Sequence, residues 1–254
     1  MAPRTQKRFD GKIAIITGSG QGMGRQTALD MAQEGAKVVV SDILPELLDE
    51  VKKEIEDAGG ECLTCICDVA SREQVESMVK KTFDTYGRID ILINNAGLLK
   101  TGRIEELTDE LMNQTLDINV KGVLYAIRAV TPIMKSQKYG RIVNVASITG
   151  KRGDNKTTIV YGASKGAVIT ITRSAARELA SYGITVNAIA PHAVMTTLMS
   201  YWTEERKRDA AELIPLKRLG TVHDMSYLMM FLASDESSFI TGECVNINGG
   251  YYMD

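Results

Sequence analysis

What most constrains this chain is a rhythm. Short apolar runs rich in Ile and Val, at residues 12–17, 37–41, 62–67, 89–94, 141–146, 184–190 and 244–247, alternate with longer helical patterns throughout. Strand-like runs spaced by a helix each cannot join as tight hairpins. They need crossover connections, and so a parallel sheet with helices packed over it. Runs such as Ile13-Ala14-Ile15-Ile16 and Val38-Val39-Val40 lack the alternation of a half-exposed strand, which marks them as strands buried on both faces. The expected helices are 24–34, 45–58, 72–86, 109–136, 161–181 and 223–233; the second opens on Pro45 and stops at Gly59-Gly60, as helix start and stop signals require. The polar, glycine-punctuated stretch 150–158 reads as a loop. The fold class expected is α/β, a doubly wound parallel sheet of about seven strands with helices on both faces.

No repeat, low-complexity tract or Pro/Ser-rich linker divides the 254 residues, so one domain over 1–254 is expected, with 1–10 as an N-terminal extension and 195–220 as a lid segment. Lys and Arg number 30 against 32 Asp and Glu, a near-neutral balance that argues against nucleic acid as a partner. No apolar run approaches the roughly 18 residues of a membrane span, and Arg4, Lys7 and Arg8 are not followed by the apolar core of a signal peptide. A cytoplasmic protein without a membrane partner is expected. Cys62, Cys65 and Cys67 have neither the paired spacing nor the nearby His of a zinc site; strand alternation makes them small core fillers, and no metal is expected.

The first strand runs through Thr17-Gly-Ser-Gly-Gln-Gly-Met-Gly24 straight into a helical pattern. Glycines there permit a tight turn and a close backbone approach to a pyrophosphate at a helix N-terminus. The spacing Gly18, Gly22, Gly24 is G-x-x-x-G-x-G rather than G-x-G-x-x-G. The second strand ends on Asp42, 18 residues past Gly24, where a carboxylate accepts both hydroxyls of an adenosine ribose and repels a 2′-phosphate. NAD(H) is therefore expected in preference to NADP(H), on a Rossmann-like scaffold.

Tyr161 and Lys165 stand four apart on an expected helix, one turn apart on one face. A neighbouring ammonium favours phenolate and so is expected to lower the Tyr161 pKa, making Tyr161 a general acid for carbonyl reduction and a general base for alcohol oxidation. Ser147, at a strand end, is placed to donate a hydrogen bond to the carbonyl oxygen.

Taken in order, these motifs resemble the short-chain dehydrogenase/reductase family over nearly the whole chain, from Gly11 onward. The glycine turn matches the family's cofactor loop, Asp68-Val69 its adenine-side pair, Asn94-Asn95-Ala96-Gly97 its signature, and Asn119, Ser147, Tyr161 and Lys165 its catalytic tetrad. The resemblance implies that Lys165 also holds the nicotinamide ribose and that Asn119 anchors a water linking Lys165 to solvent. It implies cofactor contacts from Gly18, Gln21, Gly22, Met23, Gly24, Asp42, Asp68, Val69, Asn95, Ala96, Gly97, Tyr161 and Lys165, and from Pro191, Val194 and Thr196 after the sixth strand. It also implies pairing into a homotetramer.

Two departures stand out. Ser147 and Tyr161 are 14 apart, one more than the family's usual spacing, and Pro191-His192 replaces its usual Pro-Gly. The expected substrate pocket is mainly apolar: Leu99, Thr149, His192, Met195 and Trp202, with Leu98, Ile148, Met199 and Tyr201 on its rim. That lining suits a small hydrophobic secondary alcohol or ketone, whose hydride exchanges with the nicotinamide. Two alternatives remain open, a 3-oxoacyl-thioester reductase and a non-catalytic dinucleotide-binding regulator.

Overall fold

The computed structural model describes residues 7–153, 158–196 and 202–254. Seven strands form one parallel sheet: β1 (Ile13–Thr17), β2 (Lys37–Asp42), β3 (Glu61–Ile66), β4 (Ile91–Asn94), β5 (Gly140–Val145), β6 (Ile184–Pro191) and β7 (Cys244–Ile247), in the order β3-β2-β1-β4-β5-β6-β7. In the central register Ile15 lies beside Val39 of β2 and Leu92 of β4. The chain winds outward from β1 in one direction and from β4 in the other, which leaves a crevice at the carboxyl ends of these two strands.

Each strand sends alternate side chains to opposite faces. Ile13, Ile15, Val39 and Leu92 point into one core layer, whereas Ala14, Ile16, Val38, Val40, Ile91 and Ile93 point into the other. Helices α1 (Gly22–Gln33), α2 (Pro45–Asp57) and α9 (Val222–Ala233) close the second layer. The first is closed by α3 (Arg72–Tyr86), α5 (Gly122–Gln137) and α7 (Ile159–Leu179). Fully burying each large aliphatic chain is worth about 1.5–3 kcal/mol. Cys65 and Cys67 fill the first layer and Cys62 the second, all as free thiols. Burial pushes the Cys62 and Cys67 thiols up, to about 12 and about 11, so they stay protonated and unreactive.

Two expectations needed correction. The helix expected at 109–136 is two helices, α4 (Asp109–Leu116) and α5, joined by a π-helical turn at Asp117–Lys121. The wider turn carries Asn119 fully into the interior, where its amide is bonded on both sides to the Leu98 backbone. The loop expected at 150–158 begins inside a short helix, α6 (Ile148–Arg152), because the Ser147 hydroxyl caps it by accepting from the Thr149 N–H at 3.2 Å; residues 154–157 lie outside the described residues. Within the segment expected as a lid, the described residues include helix α8 (Glu204–Glu212). Among the described residues no helix is long and apolar enough to cross a membrane.

Candidate active site

The crevice is built from backbone first. At Gly18 φ is +61°, and a Cβ there would come within 2.7 Å of the Ala96 Cα. A Cβ on Gly24 would overlap the Asn95 amide and the Gly18 carbonyl. The turn is thus closed against Asn95-Ala96, and Thr17 sews it shut: its hydroxyl accepts from the N–H groups of Asn95 and Ala96, both at 3.1 Å. Asn95 Nδ2 returns the bond to the carbonyls of Thr17 and Gly18. Gly22, at φ +60°, faces open space bounded by Thr196, whose Cγ2 would lie 3.7 Å from a Cβ added there. Helix α1 starts at Gly22 without a side-chain cap on its first N–H groups. Bare N–H groups, a positive helix end and room for oxygens make a cradle that fits a pyrophosphate.

Asp42 ends β2 with one carboxylate oxygen accepting from the Gly20 N–H at 3.1 Å and the other from Ile43 at 2.8 Å. It therefore opens a turn and borders the glycine loop together. Val69 is buried against Gly122 at the start of α5, while the Asp68 carboxylate is exposed and accepts from the Ala70 N–H. Met23, Pro191 and Val194 lie along the same crevice-forming segments, and Val194 is bridged to Gly220. Gln21 immediately precedes α1 in extended backbone.

The four tetrad candidates meet on the far side of β4. The Ser147 hydroxyl lies close enough to the Tyr161 phenol to pull its pKa down. One turn on, Lys165 is 4% exposed; its Nζ donates to the Val145 carbonyl at 2.7 Å and stands 5.7 Å from the Tyr161 ring centroid. A Cβ on Gly97 would sit 3.3 Å from that ammonium and 3.4 Å from Asn119 Oδ1, so only glycine leaves them room. Asn119 accepts from the Leu98 N–H at 2.7 Å and donates to the Leu98 carbonyl at 2.9 Å and to Ser164 Oγ at 3.0 Å. Its side chain holds the loop after β4 in place.

The electrostatics differ from expectation in one respect. Burial pushes the Tyr161 phenol up, against the pull of the Ser147 hydroxyl, and pushes the Lys165 ammonium down to about 8. In this apolar setting desolvation outweighs the expected depression of the phenol by its neighbour. The site holds a neutral phenol and an ammonium poised to lose its proton near neutrality.

The expected substrate pocket is less well assembled. Leu99 and Met195 are 43% and 42% exposed, and Trp202 carries the Arg206 guanidinium 4.4 Å over its ring. Met199 and Tyr201 lie outside the described residues. A cavity of about 570 Å³ lies at the ends of β6 and β7, and of the five expected pocket residues His192 alone lines it. Residues not foreseen also matter. Thr17 closes the glycine turn and Ser164 seats Asn119. Asn144 accepts from Asn94 Nδ2 at 2.9 Å and donates to Thr172 at 2.9 Å, tying β4, β5 and α7 together beneath the site. Thr17 and Ser164 each adjoin a motif, a signal that could have pointed to them; Asn144 and Thr172 carry no such signal. Among the described residues no group of three or more His, Cys, Asp or Glu is arranged to hold a metal ion.

Comparison with known proteins agrees with this geometry. A family profile described as "Enoyl-(Acyl carrier protein) reductase" matches residues 18–252. The chain is 40% identical over 243 residues to 3-oxoacyl-[acyl-carrier-protein] reductase FabG of Thermotoga maritima, a match covering 96% of this chain and 98% of that one. This chain belongs to the short-chain dehydrogenase/reductase family. A second such relative, the 3-oxoacyl-[acyl-carrier-protein] reductase FabG of Staphylococcus epidermidis, is 39% identical over 243 residues, covering 95% of this chain and 99% of that one. The solved structure of levodione reductase superimposes with a TM-score of 0.91 at 35% identity, covering 96% of this chain and 98% of that one. As a short-chain dehydrogenase/reductase the protein is an oxidoreductase that uses a nicotinamide dinucleotide, and the glycine cradle fits that group.

Proposed function

We propose that this chain reduces the keto group of a 3-oxoacyl thioester, and that it runs in reverse on the matching hydroxy compound. The observation that carries the chemistry is the buried Lys165 one turn from Tyr161, 5.7 Å from its ring centroid, with the Ser147 hydroxyl close enough to act on the phenol. The bound nicotinamide supplies or accepts the hydride. Ser147 and Tyr161 hold the carbonyl oxygen between two hydroxyl donors as negative charge develops on it. Tyr161 then gives up its proton to that oxygen and is reprotonated from solvent. Lys165 would hold the ribose of the cofactor, and Asn119 fixes the loop after β4 through its two bonds to the Leu98 backbone. Gly18, Gly22, Gly24, Asp42, Asn95, Ala96, Gly97 and Thr196 would hold the cofactor. The identity to relatives named 3-oxoacyl-[acyl-carrier-protein] reductases supports the thioester.

A second reading is a small hydrophobic ketone or secondary alcohol handled with NAD(H). Asp42 favours it, because its carboxylate would repel the 2′-phosphate of NADPH, the usual donor in reductive biosynthesis. The likeness to levodione reductase points the same way. A homotetramer remains our expectation for the assembly, supported by Leu124 and Phe239, which are 45% and 103% exposed on this single chain.

Fluorescence titration with NADH and NADPH, followed by turnover of an acetoacetyl thioester and a panel of ketones, tests both readings. Thioester turnover supports the first; turnover of ketones alone with NADH supports the second. Tyr161→Phe removes the transferred proton, so activity falls at least about a hundredfold while cofactor affinity is kept. Full activity in that variant sinks the mechanism, and no turnover of any carbonyl by the unaltered protein moves the dinucleotide-binding regulator to the front.

A further inference from the structure

One set of side chains beside Ser147 is left unused by this mechanism. The N–H of Ala146, the residue before Ser147, donates to the Ile189 carbonyl at 2.9 Å, so the end of β6 and His192 beyond it run alongside the catalytic serine. There the His192 imidazole stacks on the ring of Tyr251, with centroids 3.9 Å apart and planes inclined by 16°. The Arg152 guanidinium of α6 lies 5.2 Å from the Tyr251 centroid.

Tyr251 reaches this position through a tight reversal. Asn248 is 8% exposed; its side chain accepts from the Gly250 N–H at 3.0 Å and donates to the Tyr252 carbonyl at 2.9 Å. Gly249 and Gly250 take φ of +65° and +86°, which side-chain-bearing residues rarely adopt. Beyond the reversal, the Asp254 carboxylate accepts from Lys151 of α6 at 2.8 Å and from Asn246 of β7 at 2.6 Å. The segment is thus tied at both ends to the walls around Ser147.

His192 also lines the 570 Å³ cavity, whose walls set the apolar Ile214, Leu216 and Met225 alongside the charged Arg218 and Asp224. Tyr251 does not line it and packs instead on the core cluster that holds Ala146 and Ile148, the two neighbours of Ser147. The stack thus presents one ring, His192, to the cavity, while the other, Tyr251, packs on the layer that contains the neighbours of the serine.

We propose that the His192–Tyr251 stack is a specificity-determining partition, which confines the substrate to short acyl groups by closing the serine side of the site off from this cavity. The proposal rests on the carbonyl-reductase reading above. A side chain at 192 in place of the family's glycine is what makes the partition possible, since glycine has no ring to stack.

The test compares kcat/KM for N-acetylcysteamine thioesters of 3-oxobutanoate and 3-oxooctanoate. The unaltered protein prefers the shorter substrate. In Tyr251→Ala and His192→Gly the ratio moves toward the longer one by about tenfold, through KM, with NADH affinity unchanged. Tyr251→Phe keeps the stacked ring and the original ratio. An unchanged ratio in both opening variants overturns the partition, as does an equal shift in Tyr251→Phe. Should Tyr251→Ala fail to fold, as circular dichroism would show, His192→Gly decides alone. If the unaltered protein reduces neither thioester, the functional reading fails and the partition falls with it; if it reduces them and the ratios do not move, only the partition fails.

Discussion

The two walls of the crevice are built by different means. In the cofactor wall, formed by the glycine turn, Asp42 and Asn95-Ala96, the ties end on backbone: the Thr17, Asp42 and Asn95 side chains bond main-chain groups, and Gly18 and Gly24 are glycines because main chain lies against them. The substrate wall, formed by the ends of β6 and β7 and the segment around α8, has backbone bonds too, such as that from the Leu216 N–H to the Gly249 carbonyl, but adds ties from side chain to side chain. These are the His192–Tyr251 stack, the Lys151–Asp254 pair and Arg206 over Trp202. This wall also leaves Leu213 and Leu216 69% and 65% exposed. A wall made of backbone contacts accepts one kind of ligand whatever the rest of the chain does. A wall made of side chains changes its preference with single substitutions, which is how one scaffold serves many substrates.

The largest effect that would break this contrast comes from Gly24→Ala. The added Cβ has no space, since it meets Asn95 and the Gly18 carbonyl. A destabilisation of about 2–3 kcal/mol is expected, seen as a lowered thermal midpoint, together with loss of NADH fluorescence enhancement. A Gly24→Ala protein with unchanged melting and cofactor affinity would show that the cofactor wall yields as easily as the other.

The same contrast explains what could be read from the residue string. Backbone demands leave durable marks, in glycines at forced positions and in apolar runs of strand length, so the seven strands and the glycine turn were legible. Asn119 was legible as a residue but not as a conformation, because nothing in Asp117-Ile-Asn-Val announces a π turn; that turn follows from the contact of Asn119 with Leu98, 21 positions away. Tyr251 carries no local mark of its contact with His192. Its partner is set by a reversal at Asn248 and by a strand end 59 positions earlier, a relation that local pattern does not carry.

Between the walls lies Lys165, whose burial holds it down at about 8. Because that value reports the free enzyme, kcat/KM for carbonyl reduction is expected to fall about tenfold per unit once pH rises above about 8, as the ammonium that orients the ribose is lost. Lys165→Arg, which stays charged, moves that limb upward even if its absolute rate is lower. Stability runs the other way. Between about 8 and the ordinary 10.5 the unfolded chain binds more protons at this lysine than the folded one, so this residue's contribution to stability rises with pH across that window. The raised Tyr161 phenol reverses the trend above its ordinary value of 10, where the unfolded chain loses a proton that the folded one keeps. A pH profile flat to pH 10 in both rate and melting would remove Lys165 from the buried floor of the site.

The smallest effect belongs to the outer tie of the substrate wall, Asp254→Asn. The Lys151 side chain is 8% exposed and Asp254 47%, and Lys151 holds the Asp254 carboxyl below its usual range. Water reaches one partner freely, so the pair is screened and the thermal midpoint should drop by no more than about 2 °C, less in high salt. What should move is selectivity. With the segment less firmly held, Tyr251 leaves the face of His192 for part of the time, and the preference for short acyl groups weakens by less than it does in Tyr251→Ala. Asp254→Glu, which keeps the charge, should restore it. If Asp254→Asn melted far earlier yet kept full selectivity, this tie would be a stability element like those of the cofactor wall, and the distinction between the two walls would stop at the aromatic stack.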